Sequence, residues 1–119
     1  MINKAFKVHK NSESRTRIFS KIKGKEKNIA AIMIEPARGE EAPKEYLSQL
    51  KDLAAEIGAI LIFDEITSGF RMCPGGIHRR YGIYPDMAVF AKSMANGYAM
   101  AAVMGLALIT IGRCRRRGR

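Results

Sequence analysis

The sequence predicts an α/β domain built on a parallel β-sheet, and three observations support this fold class. Apolar runs occur at residues 29–34, 59–63 and 86–91, the last of which opens with Asp86, and they have the length and β-branched content of buried strands. An amphipathic segment lies between the first two runs, as expected for a helical crossover between parallel strands. Polar side chains follow each run directly, so the carboxyl edge of the sheet is the predicted ligand-binding edge.

The individual elements follow from residue pattern and terminator residues. The first strand is predicted over residues 29–34 and ends before Glu35 and Pro36, since proline cannot extend the ladder of hydrogen bonds. A helix is predicted to begin at Pro43 and to end at Gly58. Its apolar stripe consists of Tyr46, Leu47, Leu50, Leu53, Ala54 and Ile57. The two later apolar runs are further strands, and we expect helices to bury the sheet on both faces.

The chain divides into three predicted segments: a basic N-terminal segment at 1–28 with a short helix and a loop, a folded region at 29–105, and a divergent, arginine-rich tail at 106–119. Its 119 residues suit a single hydrophobic core. Two cysteines and two histidines without ligand spacing predict neither a disulfide framework nor a metal site. No apolar stretch reaches the roughly 20 residues that span a bilayer, and no targeting signal is recognised, so we expect a cytoplasmic protein without membrane contact.

The net charge of +10 is concentrated at the two ends of the chain. Residues 1–28 carry nine Lys or Arg against two Glu, residues 113–119 carry five Arg, and residues 29–112 are slightly acidic. A nucleic-acid interface normally places its cations on the folded elements that dock. We therefore expect no nucleic-acid partner, and a small basic nucleic-acid-binding protein is kept as the non-enzyme alternative.

Two side chains at the predicted sheet edge suit cofactor chemistry. Asp64 directly follows a buried strand, where a carboxylate requires a cationic partner such as the protonated pyridine nitrogen of pyridoxal phosphate (PLP). Glu65 points to the opposite face if the strand continues, so only one of the two faces the site. Lys92 follows the third run, where a partly desolvated amine can condense with an aldehyde and then act as a general base. The alternatives are a helix-cap or loop carboxylate and a solvated loop lysine.

Four apolar residues followed by Asp-Glu are also typical of the magnesium-binding strand of a P-loop nucleotidase. That interpretation requires a GxxxxGK[ST] phosphate loop, and the sequence contains none. A nucleotidase remnant is therefore the weaker enzyme alternative.

Three ordered segments resemble class III PLP-dependent aminotransferases: AIMIEP at 31–36, ILIFDEITSGFR at 60–71 and YPDMAVFAKSMANGYAMAAVMG at 84–105. The sequence is most similar to the branch that contains glutamate-1-semialdehyde aminomutases. The resemblance covers residues 29–105 and implies a parallel-sheet piece of a fold-type-I large domain with pyridoxal 5'-phosphate as cofactor. The implied activity is transfer of an amino group between small-molecule donors and acceptors, by an aminotransferase or an aminomutase.

The resemblance also implies roles for individual residues. Lys92 is the lysine that forms the Schiff base with the cofactor, Asp64 binds the pyridine nitrogen, and Ile66 packs on one face of the ring. Thr67 lies where relatives often have a glutamine or methionine near the ring hydroxyl. Glu40 lies where many members place a glutamate on the substrate side, although the glycines that usually follow it are absent.

Members of this family are several times longer and form homodimers whose active sites both subunits complete. The phosphate-binding loop, the aromatic residue on the second ring face and the C-terminal small domain have no counterpart in this sequence. After Gly105 the sequence LALITIGRCRRRGR departs from the resemblance. We therefore expect a fragment of the large domain that is inactive as an isolated chain.

Overall fold

A computed structural model of the chain describes residues 4–8, 20–22 and 28–105, with only the backbone at 4–8. The strands are β1 (Lys4–Val8), β2 (Ile29–Ile34), β3 (Ala37–Arg38), β4 (Glu40–Glu41), β5 (Ile60–Asp64), β6 (Met87–Phe90) and β7 (Ala102–Gly105). The helices are α1 (Lys44–Ile57), α2 (Ile77–Tyr81) and a 3-10 helix at Lys92–Ala95, and residues 20–22 are also helical. The predicted tail at 106–119 lies outside the described residues.

The main sheet has the strand order β1-β2-β5-β6-β7. Its first four strands pair in parallel, and β7 runs antiparallel to β6. Strands β3 and β4 form a separate antiparallel hairpin. The predicted α/β class with a parallel sheet is confirmed, whereas the antiparallel strand and the hairpin were not predicted.

Helix α1 covers one face of the sheet and matches the predicted helix. Pro43 precedes its first residue, and Gly58 ends it in the left-handed conformation with φ 70°. Its buried side chains are Tyr46, Leu47, Leu50, Leu53 and Ala54, and they share one core with Ile32, Ile34, Leu61 and Phe63 of the sheet. Full burial of one such aliphatic side chain stabilises the fold by about 1.5–3 kcal/mol relative to exposure.

The opposite face of the sheet is only partly covered, so the expectation of strands buried on both faces is wrong for the described chain. Side chains alternate along a strand, and Met33 and Ile62 therefore point away from α1. Both are half-buried, and Ile60 on the same face is 36% exposed. The reason is that α1, the one long helix among the described residues, packs on one side of β2 and β5.

The N-terminal segment contributes strand β1, which was not predicted, and its helical residues 20–22 fall within the segment where a short helix and a loop were expected. β1 pairs in parallel with β2, with Phe6 opposite Ile32 and Val8 opposite Ile34. Pairing with the free edge of β2 gives the β1 backbone its hydrogen-bond partners, which a weak local pattern does not reveal. The boundary predicted at residue 28 stays a prediction.

None of the described helices combines the length and apolarity that crossing a membrane requires.

Candidate active site

The three polar residues predicted to meet at one sheet edge follow three adjacent parallel strands. Glu35 follows β2, Asp64 is the last residue of β5, and Lys92 comes two residues after β6 ends. The register pairs Ile34 with Phe63 and Asp64 with Val89, so these strands end at similar heights. The carboxyl edge of the sheet is therefore the candidate site.

Asp64 is half-buried on the sheet face that α1 does not cover. Its Oδ1 accepts a hydrogen bond from the backbone N–H of Ile66 at 3.2 Å, which fixes the carboxylate against the turn that follows β5. Within residues 28–105, no lysine, arginine or histidine forms an ion pair with this carboxylate. Asp64 thus retains the capacity to hold a cationic group at the edge of the sheet.

Lys92 has an unusual backbone conformation at the start of the 3-10 helix. Its φ of 50° lies in the left-handed region, which costs a residue with a side chain about 1–2 kcal/mol. The Nζ donates a hydrogen bond to Thr67 Oγ1 at 3.2 Å. Lys92 is exposed in this chain, so the expectation that its amine is partly desolvated is wrong.

A second hydrogen bond joins the same two segments. Arg71 Nε donates to Ser93 Oγ at 2.9 Å, next to the bond between Lys92 and Thr67. The turn after β5 and the 3-10 helix after β6 are therefore held together by two side-chain contacts. Ile66 and Thr67 are both half-buried in this turn. The structure thus brings Lys92, Thr67 and the Asp64 turn to one place.

Glu40 is exposed on the β3–β4 hairpin that follows β2. Its neighbour Glu41 accepts hydrogen bonds from Tyr81 Oη at 2.6 Å and Arg80 Nη1 at 2.8 Å, which fasten the hairpin to α2. The bond from Tyr81, with the Arg80 charge, lowers the pKa of the Glu41 carboxyl. The same bond, with burial, raises the pKa of the Tyr81 hydroxyl. Sequence reasoning missed Glu41 because its partners are 39 and 40 residues away.

Glu65 serves as the helix-cap carboxylate that the sequence left as an alternative. Its side chain is fully buried on the α1 side, opposite Asp64. Oε1 accepts a hydrogen bond from the His78 backbone N–H at 3.1 Å, in the first turn of α2, and contacts His78 Nδ1 at 3.0 Å. Oε2 accepts from Ser68 Oγ at 2.5 Å. The alternation predicted for Asp64 and Glu65 is therefore correct. Helix α2 was not predicted, although Gly76 and Gly82, which flank it, could have indicated its two ends.

This edge provides three groups of complementary chemistry: a primary amine, a hydroxyl and a carboxylate without a cation from the described part of the chain. An amine at a sheet edge can form a covalent bond with an aldehyde. A carboxylate can hold a proton on a basic ring nitrogen. The set suits an aromatic aldehyde that carries such a nitrogen.

Comparison with known proteins gives consistent matches. The family model for class-III aminotransferases matches residues 2–111, beyond both ends of the region that carries the resemblance. Glutamate-1-semialdehyde 2,1-aminomutase of Clostridium acetobutylicum is 42% identical over 101 residues, which cover 82% of this chain and 23% of that protein. The 3-aminobutyryl-CoA aminotransferase of Cloacimonas acidaminovorans is 45% identical over 84 residues, which cover 66% and 20%.

Solved structures agree with these relatives. An omega-transaminase from Sphaerobacter thermophilus superimposes with a TM-score of 0.73 at 27% identity, over 84% of this chain and 23% of that one. The PLP internal aldimine form of the FumI protein from Sphingopyxis sp. MTA144 gives 0.72 at 28% identity, over 79% and 24%. The chain spans less than a quarter of the length of these proteins. Neither the nucleotidase nor the nucleic-acid-binding alternative finds support among these matches.

Proposed function

Because this chain belongs to the class-III aminotransferases, we propose that it forms the lysine- and aspartate-bearing part of a PLP-dependent aminotransferase or aminomutase. The observation that carries the proposal is the placement of the Lys92 amine against the Thr67 hydroxyl, directly after β6, the strand that pairs with Asp64. Relatives named as aminomutase and aminotransferase, and a solved relative that holds PLP, support this activity and cofactor.

The residues at this edge fit the cofactor. Asp64 is half-buried, is oriented by the Ile66 N–H and has no cationic partner among residues 28–105, as a carboxylate that faces a protonated pyridine nitrogen requires. Lys92 presents an exposed amine that a free aldehyde can reach. When bound, PLP supplies an electron sink that stabilises negative charge at the substrate carbon.

Each residue then has a defined task. Asp64 would hold the proton on the ring nitrogen through its carboxylate. Lys92 Nζ would bind the cofactor covalently and, once released, would move a proton to or from the substrate carbon as a general base. Thr67 Oγ1 accepts a hydrogen bond from Nζ and so orients the amine. Ile66 would pack on one face of the ring, and Glu40 would lie on the substrate side.

The substrates are proposed to be small amino donors and acceptors, in a cytoplasmic setting without nucleic acid. Residues 29–105 would be the partial large domain, with a basic segment before it and a divergent tail after it. The edge strand β7 and the preceding segment expose large apolar side chains, including Tyr98 at 84% and Val103 at 62%. Exposed apolar surface on a sheet edge favours association, which supports a homodimer in the longer proteins of this family.

Borohydride trapping tests the proposal. The chain is incubated with PLP, reduced with borohydride, digested and mapped by mass spectrometry. We expect a stable adduct on Lys92 that Lys92→Ala abolishes and the matched variant Lys51→Ala, which removes an exposed lysine of α1, leaves intact. Labelling of Lys51 and Lys44 in preference to Lys92 would refute the proposal.

A further inference from the structure

Glu65 is a buried carboxylate with no task in the proposed chemistry. Its side chain is 0% exposed, and removing a carboxylate from water costs several kcal/mol unless hydrogen bonds compensate. Three contacts do so, from Ser68 Oγ, the His78 backbone N–H and the His78 ring nitrogen. These three contacts compensate for the burial and hold the Glu65 side chain in one local geometry.

The geometry that Glu65 fixes is the turn that contains Ile66 and Thr67. The backbone N–H of Glu65 donates to Val89 O at 2.9 Å and continues the hydrogen bonding of the sheet one residue beyond β5. Its carbonyl accepts from the Gly69 N–H at 2.8 Å, and its carboxylate accepts from Ser68. Main chain and side chain of Glu65 thus hold both ends of the two-residue stretch between Glu65 and Ser68.

Two glycines leave the space that this arrangement occupies. A Cβ on Gly76 would lie 2.6 Å from Glu65 Oε1 and 2.7 Å from His78 Nδ1. A Cβ on Gly69 would lie 2.6 Å from Phe90 Cδ1 and 2.9 Å from Glu65 O. The packing around Glu65 therefore depends on residues 69 and 76 both being glycine, with no Cβ.

We propose that Glu65 is a positioning residue for the Lys92 amine. The buried carboxylate holds the turn at residues 66–69, the turn presents Thr67 Oγ1, and Thr67 Oγ1 receives the hydrogen bond from Lys92 Nζ at 3.2 Å. Glu65 contacts neither the amine nor the predicted cofactor position, so it acts through Thr67. The assignment of Lys92 as the cofactor lysine rests on the proposed function, whereas the hold on the turn rests on the contacts alone.

The first measurement is the share of borohydride-trapped PLP found on Lys92 relative to Lys44 and Lys51. Glu65→Ala should lower this share about 10-fold or more, because displacement of a reacting group by about 1 Å costs on the order of 100-fold in rate. Glu65→Gln should restore it to within about 2-fold, since its carbonyl can accept from His78 and its amide can donate to Ser68. Asp52→Ala, an exposed position of α1, is the control and should leave the share unchanged.

Equal shares in the wild type and Glu65→Ala overturn the inference while leaving the proposed function intact. A loss in Glu65→Gln as large as in Glu65→Ala also overturns it, because hydrogen-bond geometry is then not what positions the amine. Should circular dichroism find Glu65→Ala unfolded, Ser68→Ala and Thr67→Val decide, and an unchanged share in both contradicts the inference.

Hydrogen exchange separates this inference from the proposed function. The Gly69 amide, bonded to Glu65 O, should exchange faster in Glu65→Ala and Ser68→Ala than in the wild type and the Asp52→Ala control. Absence of a Lys92 adduct in the wild type refutes the proposed function. Unchanged exchange at Gly69 then refutes the positioning role independently.

Discussion

Replacement of Gly76 by alanine tests the buried contact between Glu65 and His78 by adding a single methyl group. The new Cβ would lie 2.6 Å from Glu65 Oε1 and 2.7 Å from His78 Nδ1, so the two side chains must move apart. Gly76 has an extended φ of −153° that any residue adopts, so the cost is steric. Overpacking costs about 1–3 kcal/mol and a weakened hydrogen bond to a charged group roughly 1.5–3 kcal/mol, so we expect a loss of about 2–4 kcal/mol in the free energy of unfolding.

Urea unfolding followed by far-ultraviolet circular dichroism measures this loss. Gly39→Ala is the matched control, because Gly39 has φ 80° and nothing within 4 Å of an added Cβ. It should cost about 1–2 kcal/mol from left-handed backbone strain alone. In a Glu65→Ala background the cost of Gly76→Ala should fall, since the clash with the carboxylate is gone and only the close approach to the His78 ring remains. A Gly76→Ala chain as stable as the wild type, or an undiminished cost in the double variant, would show that the added methyl group meets no packed contact between Glu65 and His78.

Other parts of the structure give four further predictions. Leu50→Ala should lower the free energy of unfolding in urea by about 2–5 kcal/mol, because it opens a cavity between α1 and the sheet. A loss no larger than that of a substitution at an exposed position would contradict the core described. Asp64→Asn should weaken PLP binding about 10-fold or more in an absorbance titration, since a charge-assisted hydrogen bond contributes roughly 1.5–3 kcal/mol, and unchanged affinity argues against its role. The pKa of Glu41 is lowered in the folded chain, so its stabilisation is present above the ordinary value of 4.5 and is lost as pH falls through the folded-state pKa. Glu41→Gln should therefore flatten the acid limb of a stability–pH curve, and an identical limb contradicts the bond to Tyr81. Val103→Lys should reduce concentration-dependent association in sedimentation velocity, whereas unchanged association places the contact elsewhere.

The elements that could be predicted from the sequence are those with strong local patterns. The stripe from Tyr46 to Ala54, bounded by Pro43 and Gly58, gave α1 nearly to the residue. The apolar runs before Glu35, Asp64 and Lys92 predicted three parallel strands and the carboxyl edge of the sheet at which these strands end. Both signals depend only on neighbours within one element.

The elements that were missed depend on partners far along the chain. β1 is a strand because it pairs with β2, more than twenty residues later, and its own lysine-rich sequence does not specify this. β7 is antiparallel because the chain reverses after the 3-10 helix, at Asn96 and Gly97, both with positive φ. Gly97 could be read as a turn residue, but the sequence pattern after it does not predict the direction of the next strand.

The candidate site shows the same division. The predicted strand ends gave the positions of Asp64 and Lys92, and the alternation of side chains predicted that Asp64 and Glu65 point to opposite faces. The bond between Lys92 and Thr67 spans 25 residues, and the left-handed backbone of Lys92 has no sequence signature. The partial desolvation expected for the amine was wrong because a position after a buried strand does not guarantee cover from the opposite face.

A crystal structure of the PLP-treated, borohydride-reduced protein tests the central claim most directly. We predict continuous density from Lys92 Nζ to the cofactor, with the pyridine nitrogen within hydrogen-bond distance of the Asp64 carboxylate. Density that joins the cofactor to a different lysine, or a ring nitrogen that faces away from Asp64, would contradict the account.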